Sequence, residues 1–188
     1  MSLRNFSITT CLLLFLAPTA WGQSLKVASL APEGSVWMVE MRAAAKEIEQ
    51  QTEGRVKFRF YGGGVQGNSN QVQRKMRIGQ LHGATFTSGE IGAFNKFGEV
   101  FGMPMVFKDI DEVRHVRWQL DDRVRQELED AGYVNFGFSG AGFAYLMSNT
   151  PVASLDDMER QKTWLQEGNQ TAYGAFKALG ISPISMPL

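Results

Sequence analysis

The chain of 188 residues has a single cysteine, Cys11, and it lies within an apolar N-terminal segment. Downstream of that segment there is no thiol. A disulfide framework, a cysteine nucleophile and a cysteine-ligated metal are therefore excluded. Histidine is nearly as scarce, with His82 beside a glycine at a turn and His115 off the apolar stripe of a helical pattern. Neither has the serine or carboxylate companions that a triad needs. There is no H-E-x-x-H spacing and no calcium-loop spacing, so neither a metal nor a cofactor is expected. Lysine plus arginine balance aspartate plus glutamate at 19 each. Without a basic excess to track phosphates, a nucleic-acid partner is not expected. Beyond the first 22 residues no apolar run reaches bilayer-spanning length.

What is present begins with "MSLRNFSITTCLLLFLAPTAWG". Arg4, an apolar run from about Ile8 to Ala17, and the small residues Ala20 and Gly22 have the layout of a secretory signal peptide. Cleavage is expected after Gly22, and the destination is an exported compartment. The glycine-rich "YGGGVQG" lacks the Gly-Lys-Ser/Thr ending of a phosphate-cradling loop, so its glycines read as a tight exit from a strand. The acid pairs Asp121–Asp122 and Asp156–Asp157 fit solvated helix positions.

Hydrophobic periodicity predicts alternating strands and helices. "LKVASL" reads as a buried strand. A helix follows, capped by Ser35, stopped near Gly54, with Trp37, Met41, Ala44 and Ile48 on its inner face. In "RVKFRFY", Val56, Phe58 and Phe60 alternate with Lys57, Arg59 and Tyr61. A second helix from about Asn68 carries Val72 and Met76 inward, "GATFTSG" reads as a strand, and "FGMPMVF" as an irregular buried connection. The strongest pattern is Val113, Val116, Leu120, Val124 and Leu128, a long helix from Asp109 to Ala131. "YVNFGFSG" and "GFAYLMSN" read as strands, "SLDDM" as a turn capped by Ser154, "KTWLQ" as a strand and "NQTAYGAFKALG" as a helix with Ala172, Phe176 and Leu179 on one side. This order specifies an α/β fold with a largely parallel sheet.

In such sheets, ligands gather at the C-terminal ends of strands and at helix starts. Trp37 opens a helix and Trp164 lies just ahead of another, so the pair points to a ligand cleft. Ser88 and Glu90 follow a strand end, and Glu167 precedes a helix start. These five residues are the candidate binding site; no catalytic constellation assembles.

"VASLAPEGSVW", "GRVKFRFYGGGVQGN", "RIGQLHGATFTSGEIG", "GMPMVFKD", "SNTPVASLDDMERQKTWLQEGN" and "AFKALGISPISMPL", taken in order, resemble the solute-binding proteins of tripartite ATP-independent periplasmic (TRAP) transporters, of the DctP type. The resemblance implies a two-lobed, periplasmic-binding-protein-like fold of type II character. Its lobes close on a small organic solute, often an organic acid, and deliver it to the TRAP membrane permease subunits, without catalysis or cofactor. Residues 24–140 would form the first lobe and 141–188 the beginning of the second, the family's chains running well past this point. Two departures stand out. Where many members carry an arginine that pairs with the solute carboxylate, this chain has Trp164. Where many carry a second arginine, it has Phe143 and Ala144. The expectation is a solute more apolar, aromatic or cationic than a simple dicarboxylate, with Glu167 or Glu90 as counter-charge, unless the helix start near Asn169 receives a carboxylate. The alternatives are a non-functional fragment of such a receptor, or an exported α/β enzyme.

Overall fold

The structure, a computed structural model, describes residues 22–92 and 94–186. The expected signal peptide, apart from Gly22, lies outside the described residues. Strand β1 (Gln23–Ala28) is central in a three-stranded parallel sheet, between β2 (Val56–Tyr61) and β3 (Gly83–Ala84). Helix α1 (Val36–Gln51) links β1 to β2, and α2 (Ser69–Arg77) links β2 to β3. Each β-α-β step returns the chain parallel to its start, as parallel pairing requires. The core of this unit is Ala28, Val72 and Leu81, packed by Tyr61, Met76, Ala84 and Phe86.

Both helix starts are fixed by the residues that the sequence marks. The Ser35 hydroxyl accepts the Met38 N–H, and Asn68 accepts the Gln71 N–H while the Gln71 side chain accepts the Asn68 N–H. The second is a reciprocal capping box that satisfies two otherwise unpaired donors. The inner face of α1 differs from the expected one. Met38 is fully buried and Met41 and Ala45 are half-buried, whereas Trp37 is 42% exposed and Ile48 36%. Glu49, near the end of the same helix, pairs with Lys57 of β2 at 3.0 Å.

Strand β3 is also shorter than the expected Gly83–Gly89. Pairing with β1 stops at Ala84, one further bond runs from Thr85 N–H to Ala28 O, and the chain then coils into a single helical turn, α3 (Ser88–Ile91). A 3-10 segment at Phe97–Gly102 follows. The stretch after it is irregular, as expected, but not buried, with Met105 wholly exposed. The long helix α4 (Ile110–Asp130) starts at Asp109, whose carboxylate accepts the N–H groups of Asp111 and Glu112. Its Val124 and Leu128 are buried as the periodicity requires. Asn95 ties the preceding segment to it, donating to Val124 O and to the Glu127 carboxylate.

The segments "YVNFGFSG" and "GFAYLMSN" form no strands. A strand exists through a hydrogen-bonded neighbour, and none among the described residues pairs with 133–147. Gly137 and Gly142 also take positive φ (137° and 97°), which breaks the extended run. Further on, α5 (Leu155–Glu159), β4 (Trp164–Gln166), α6 (Gln170–Ala178) and β5 (Ile184–Met186) follow, β4 and β5 pairing in parallel around α6. Ala172 is buried and Phe176 half-buried on α6, but Leu179 is exposed.

The α5 turn carries a measurable electrostatic signature. The Asp157 carboxyl is held below the ordinary carboxylate range, first by the Ser154 hydroxyl, then by the Ala153 N–H, with Arg160 adding to both. A depressed folded value means that this contribution is complete above the unfolded pKa and fades as pH falls through the folded one. We expect the Asp157 carboxyl resonance to titrate below that of an ordinary aspartate, and Ser154→Ala to move its midpoint upward.

Candidate functional site

A small crevice opens where the theory of parallel sheets puts one, at the C-terminal ends of β1 and β3. One wall is the exit of β1, Ala28 to Leu30, and the other is Ala84 to Phe86. Gly64 to Gly67 and the first turn of α2 close a third side, and Glu90 of α3 the fourth. The apolar floor comes from Ala28 and Val72, both part of the core, and the polar groups stand around it.

The glycine loop is built for close approach. Gly63 N–H donates to Ala31 O and Gly64 N–H to Ser29 O. Gly62 N–H donates to Glu33, whose carboxylate also receives the Arg42 guanidinium at 2.7 Å. A Cβ at Gly62 would lie 2.8 Å from that carboxylate and 3.0 Å from Ala31 O, so a side chain there would displace the Glu33 carboxylate and crowd Ala31 O. Gln66 is held from behind: the Lys75 ammonium donates to both its backbone and side-chain oxygens. Across the crevice the Thr85 hydroxyl donates to Ser29 Oγ at 2.8 Å.

Glu90 is the most constrained of the polar groups. It is 2% exposed, and one carboxylate oxygen accepts both the N–H and the O–H of Thr87 at 2.8 and 2.9 Å. Its other oxygen accepts the Gln166 side-chain amide at 3.3 Å. No ion pair involves Glu90 among the described residues. A buried carboxylate is tolerated only with such bonds, and these leave lone-pair capacity on the oxygen that faces Gln166.

The bond to Gln166 joins the three-stranded unit to β4, and a second joins the α2 cap to the turn after β4: Asn68 Nδ2 donates to the Glu167 carboxylate at 3.0 Å. The turn after β4 lies close against the first turns of α2 and α3. A Cβ on Gly168 would stand 2.6 Å from Ser69 Oγ, and one on Gly89 would stand 2.5 Å from the Asn169 side chain. Asn169 in turn caps α6 by accepting the Ala172 N–H.

This layout, a crevice at strand ends with a second parallel unit docked beside it, has close counterparts. Residues 27–188 match the family described as Bacterial extracellular solute-binding protein, family 7, or DctP. The chain belongs to the DctP family. A solute-binding protein of Chromohalobacter salexigens is 28% identical over 124 residues, 65% of this chain and 37% of that protein. The sialic acid-binding periplasmic protein SiaP of Vibrio cholerae is 24% identical over 168 residues, 87% of this chain and 51% of its own. Among solved structures, a TRAP periplasmic solute-binding protein of Pseudomonas putida F1 with bound D-glucuronate superposes with a TM-score of 0.77 at 26% identity, covering 87% of this chain and 54% of that one. One from Sulfurospirillum deleyianum with bound succinate gives a TM-score of 0.77 at 20% identity, covering 88% and 54%. The α/β fold of TRAP periplasmic binding proteins is therefore the fold of this chain, whose match spans 37% to 54% of the length of these relatives.

Within the DctP chain, Glu90 alone of the five sequence candidates lines the crevice. Ser88 opens α3, half-buried, two residues before it. Glu167 is half-buried and engaged by Asn68. Trp164 begins β4 and is 46% exposed. Strand alternation puts it on the same face as Gln166, whose amide reaches Glu90, about 7 Å further along the strand. Trp37 lies in the first turn of α1 and is not part of the crevice wall. As site residues, Ser29, Thr85, Asn68 and Gln166 escaped the sequence reading, which marked Asn68 only as a helix start. Ser29 had one usable signal, a polar residue closing the apolar "KVAS" strand at its C-terminal end.

Proposed function

We propose that the chain is the solute-capturing part of a periplasmic TRAP receptor, which takes a small organic solute between its two α/β units and passes it to the membrane permease. The observation that carries this reading is the DctP match, which runs from Val27 through the whole crevice to Leu188. Export to the periplasm rests on the signal-like leader together with the family. Relatives hold D-glucuronate and succinate, so organic acids are the first class to test. For this chain the solute expected to bind best has hydroxyl or amino donors for Glu90 and a ring or apolar face for Trp164. An indole cannot replace a bidentate guanidinium, but a stacked ring contributes about 0.5–1.5 kcal/mol beyond its buried area. The enzyme alternative lacks support, since the polar groups of the crevice include no nucleophile paired with a base.

A thermal-shift panel of hexuronates, aldonates, C4 dicarboxylates and ring-bearing cations tests this. We expect a concentration-dependent rise in Tm with at least one ring-bearing or polyhydroxylated member and no turnover of it. Turnover of a bound compound, or no shift across the panel, would overturn the reading.

A further inference from the structure

Asn68 has two separate tasks. Its side-chain oxygen accepts the Gln71 N–H and so caps α2, while its side-chain nitrogen donates to Glu167 beyond β4. The two partners lie on opposite sides of one planar amide. A side-chain amide carries its acceptor and its donors on separate atoms, so both bonds form at once. Aspartate, which caps a helix as well as asparagine does, would turn a carboxylate toward the carboxylate of Glu167.

The turn that Asn68 holds is the one that governs the second wall of the crevice. Glu167 N–H donates to Met186 O, which anchors the turn in the β4–β5 pair. Gly168 sits against Ser69 with φ of 94°, a conformation that side chains disfavour. Gln166, one residue before, reaches Glu90, and Trp164 shares its face. The contacts of Gly168 and Gln166 fall on the first turn of α2 and on α3, and the Asn68–Glu167 bond at 3.0 Å is shorter than the Gln166–Glu90 bond at 3.3 Å.

From this geometry we infer that Asn68 is a positioning residue for the binding site: through Glu167 it holds the β4 turn, and with it Gln166 and Trp164, over the crevice. The helix cap and the docking bond share one side chain, so α2 cannot be fully capped by this amide without presenting the donor that β4 needs. The inference rests on the reading of the crevice as the solute site, but its test needs no solute and fails independently of that reading.

The test measures distance across the two units. In the intact chain with Cys11→Ser, spin labels are attached at Lys46→Cys on α1 and Lys177→Cys on α6, both exposed positions. Asn68→Asp keeps the cap and makes the Glu167 contact repulsive. We expect a new, longer-distance population, with the docked-to-undocked ratio falling roughly tenfold or more, the size expected when one charge-assisted bond is lost. The double variant Asn68→Asp/Glu167→Gln exchanges donor and acceptor across the same gap and should return the distribution toward that of the parent. A merely structural role for Asn68 predicts no such rescue. Glu167→Ala, which leaves the Asn68 side-chain oxygen on the Gln71 N–H, should broaden the distribution as Asn68→Asp does and covers the case in which the aspartate variant fails to fold. An unchanged distribution in Glu167→Ala, or an Asn68→Asp effect that Glu167→Gln does not reverse, would overturn the inference.

Discussion

Glu90→Ala is expected to unfold at a markedly lower urea concentration than the parent chain, with a stability loss of about 2–4 kcal/mol. The carboxylate is 2% exposed and closes the single-turn helix α3 by accepting the N–H and O–H of Thr87. Removing it leaves both donors, and the Gln166 amide, without their partner. A buried donor stripped of its acceptor costs about 1–3 kcal/mol, and loss of a capping contact typically about 1 kcal/mol. The contributions overlap, because crevice water can reach some of the freed groups. Glu90→Gln separates charge from bonding. Its side-chain oxygen can still accept from Thr87, and Gln166 can turn its own oxygen toward the new amide nitrogen, so we expect a loss of no more than about 1 kcal/mol. A Glu90→Ala midpoint within error of the parent would show that Glu90 does not hold α3 in place.

The contrast between Glu90 and the rest of the candidate site shows what a linear reading can reach. Signals that act within one turn of chain were legible: the Ser35 and Asn68 caps, the alternation of β2, and the Val124–Leu128 stripe of α4 all appear where the pattern puts them. They are legible because cap, pleat and stripe are set by residues one to four apart. Failures came where a partner distant in sequence decides. The inner face of α1 is displaced by about one residue, to Met38 and Ala45, because which face of a helix is buried is decided by the sheet it packs on and not by the helix alone. Residues 133–147 carry good strand composition but find no neighbour among the described residues, and propensity alone does not make a ladder. The site itself depends on pairs 76 and 99 residues apart, Glu90 with Gln166 and Asn68 with Glu167. Nothing local in "GNSNQ" announces that its first asparagine will meet a glutamate near the other end of the chain.

On the proposed receptor reading, Trp164→Arg should change which solutes bind. The family resemblance puts an arginine at this position in many members, and the strand face that carries Trp164 also carries Gln166, which reaches the crevice at Glu90. A guanidinium there would meet a solute carboxylate with two parallel N–H···O bonds. Charge-assisted bonds of this kind are worth about 1.5–3 kcal/mol net, so succinate affinity measured by calorimetry should rise roughly 10- to 100-fold over the parent. Two neighbouring acids oppose the gain. Glu167 and Glu90 could draw the new guanidinium to themselves, but Asn68 and Thr87 already occupy oxygens of these carboxylates. Trp164→Ala supplies the other arm. It removes the stacking face without adding charge, so ring-bearing solutes should lose roughly tenfold in affinity while succinate binding stays as it was. If arginine leaves succinate unaffected and alanine leaves ring-bearing solutes unaffected, position 164 lies outside the solute's reach, and the indole wall is wrong even where the receptor reading stands.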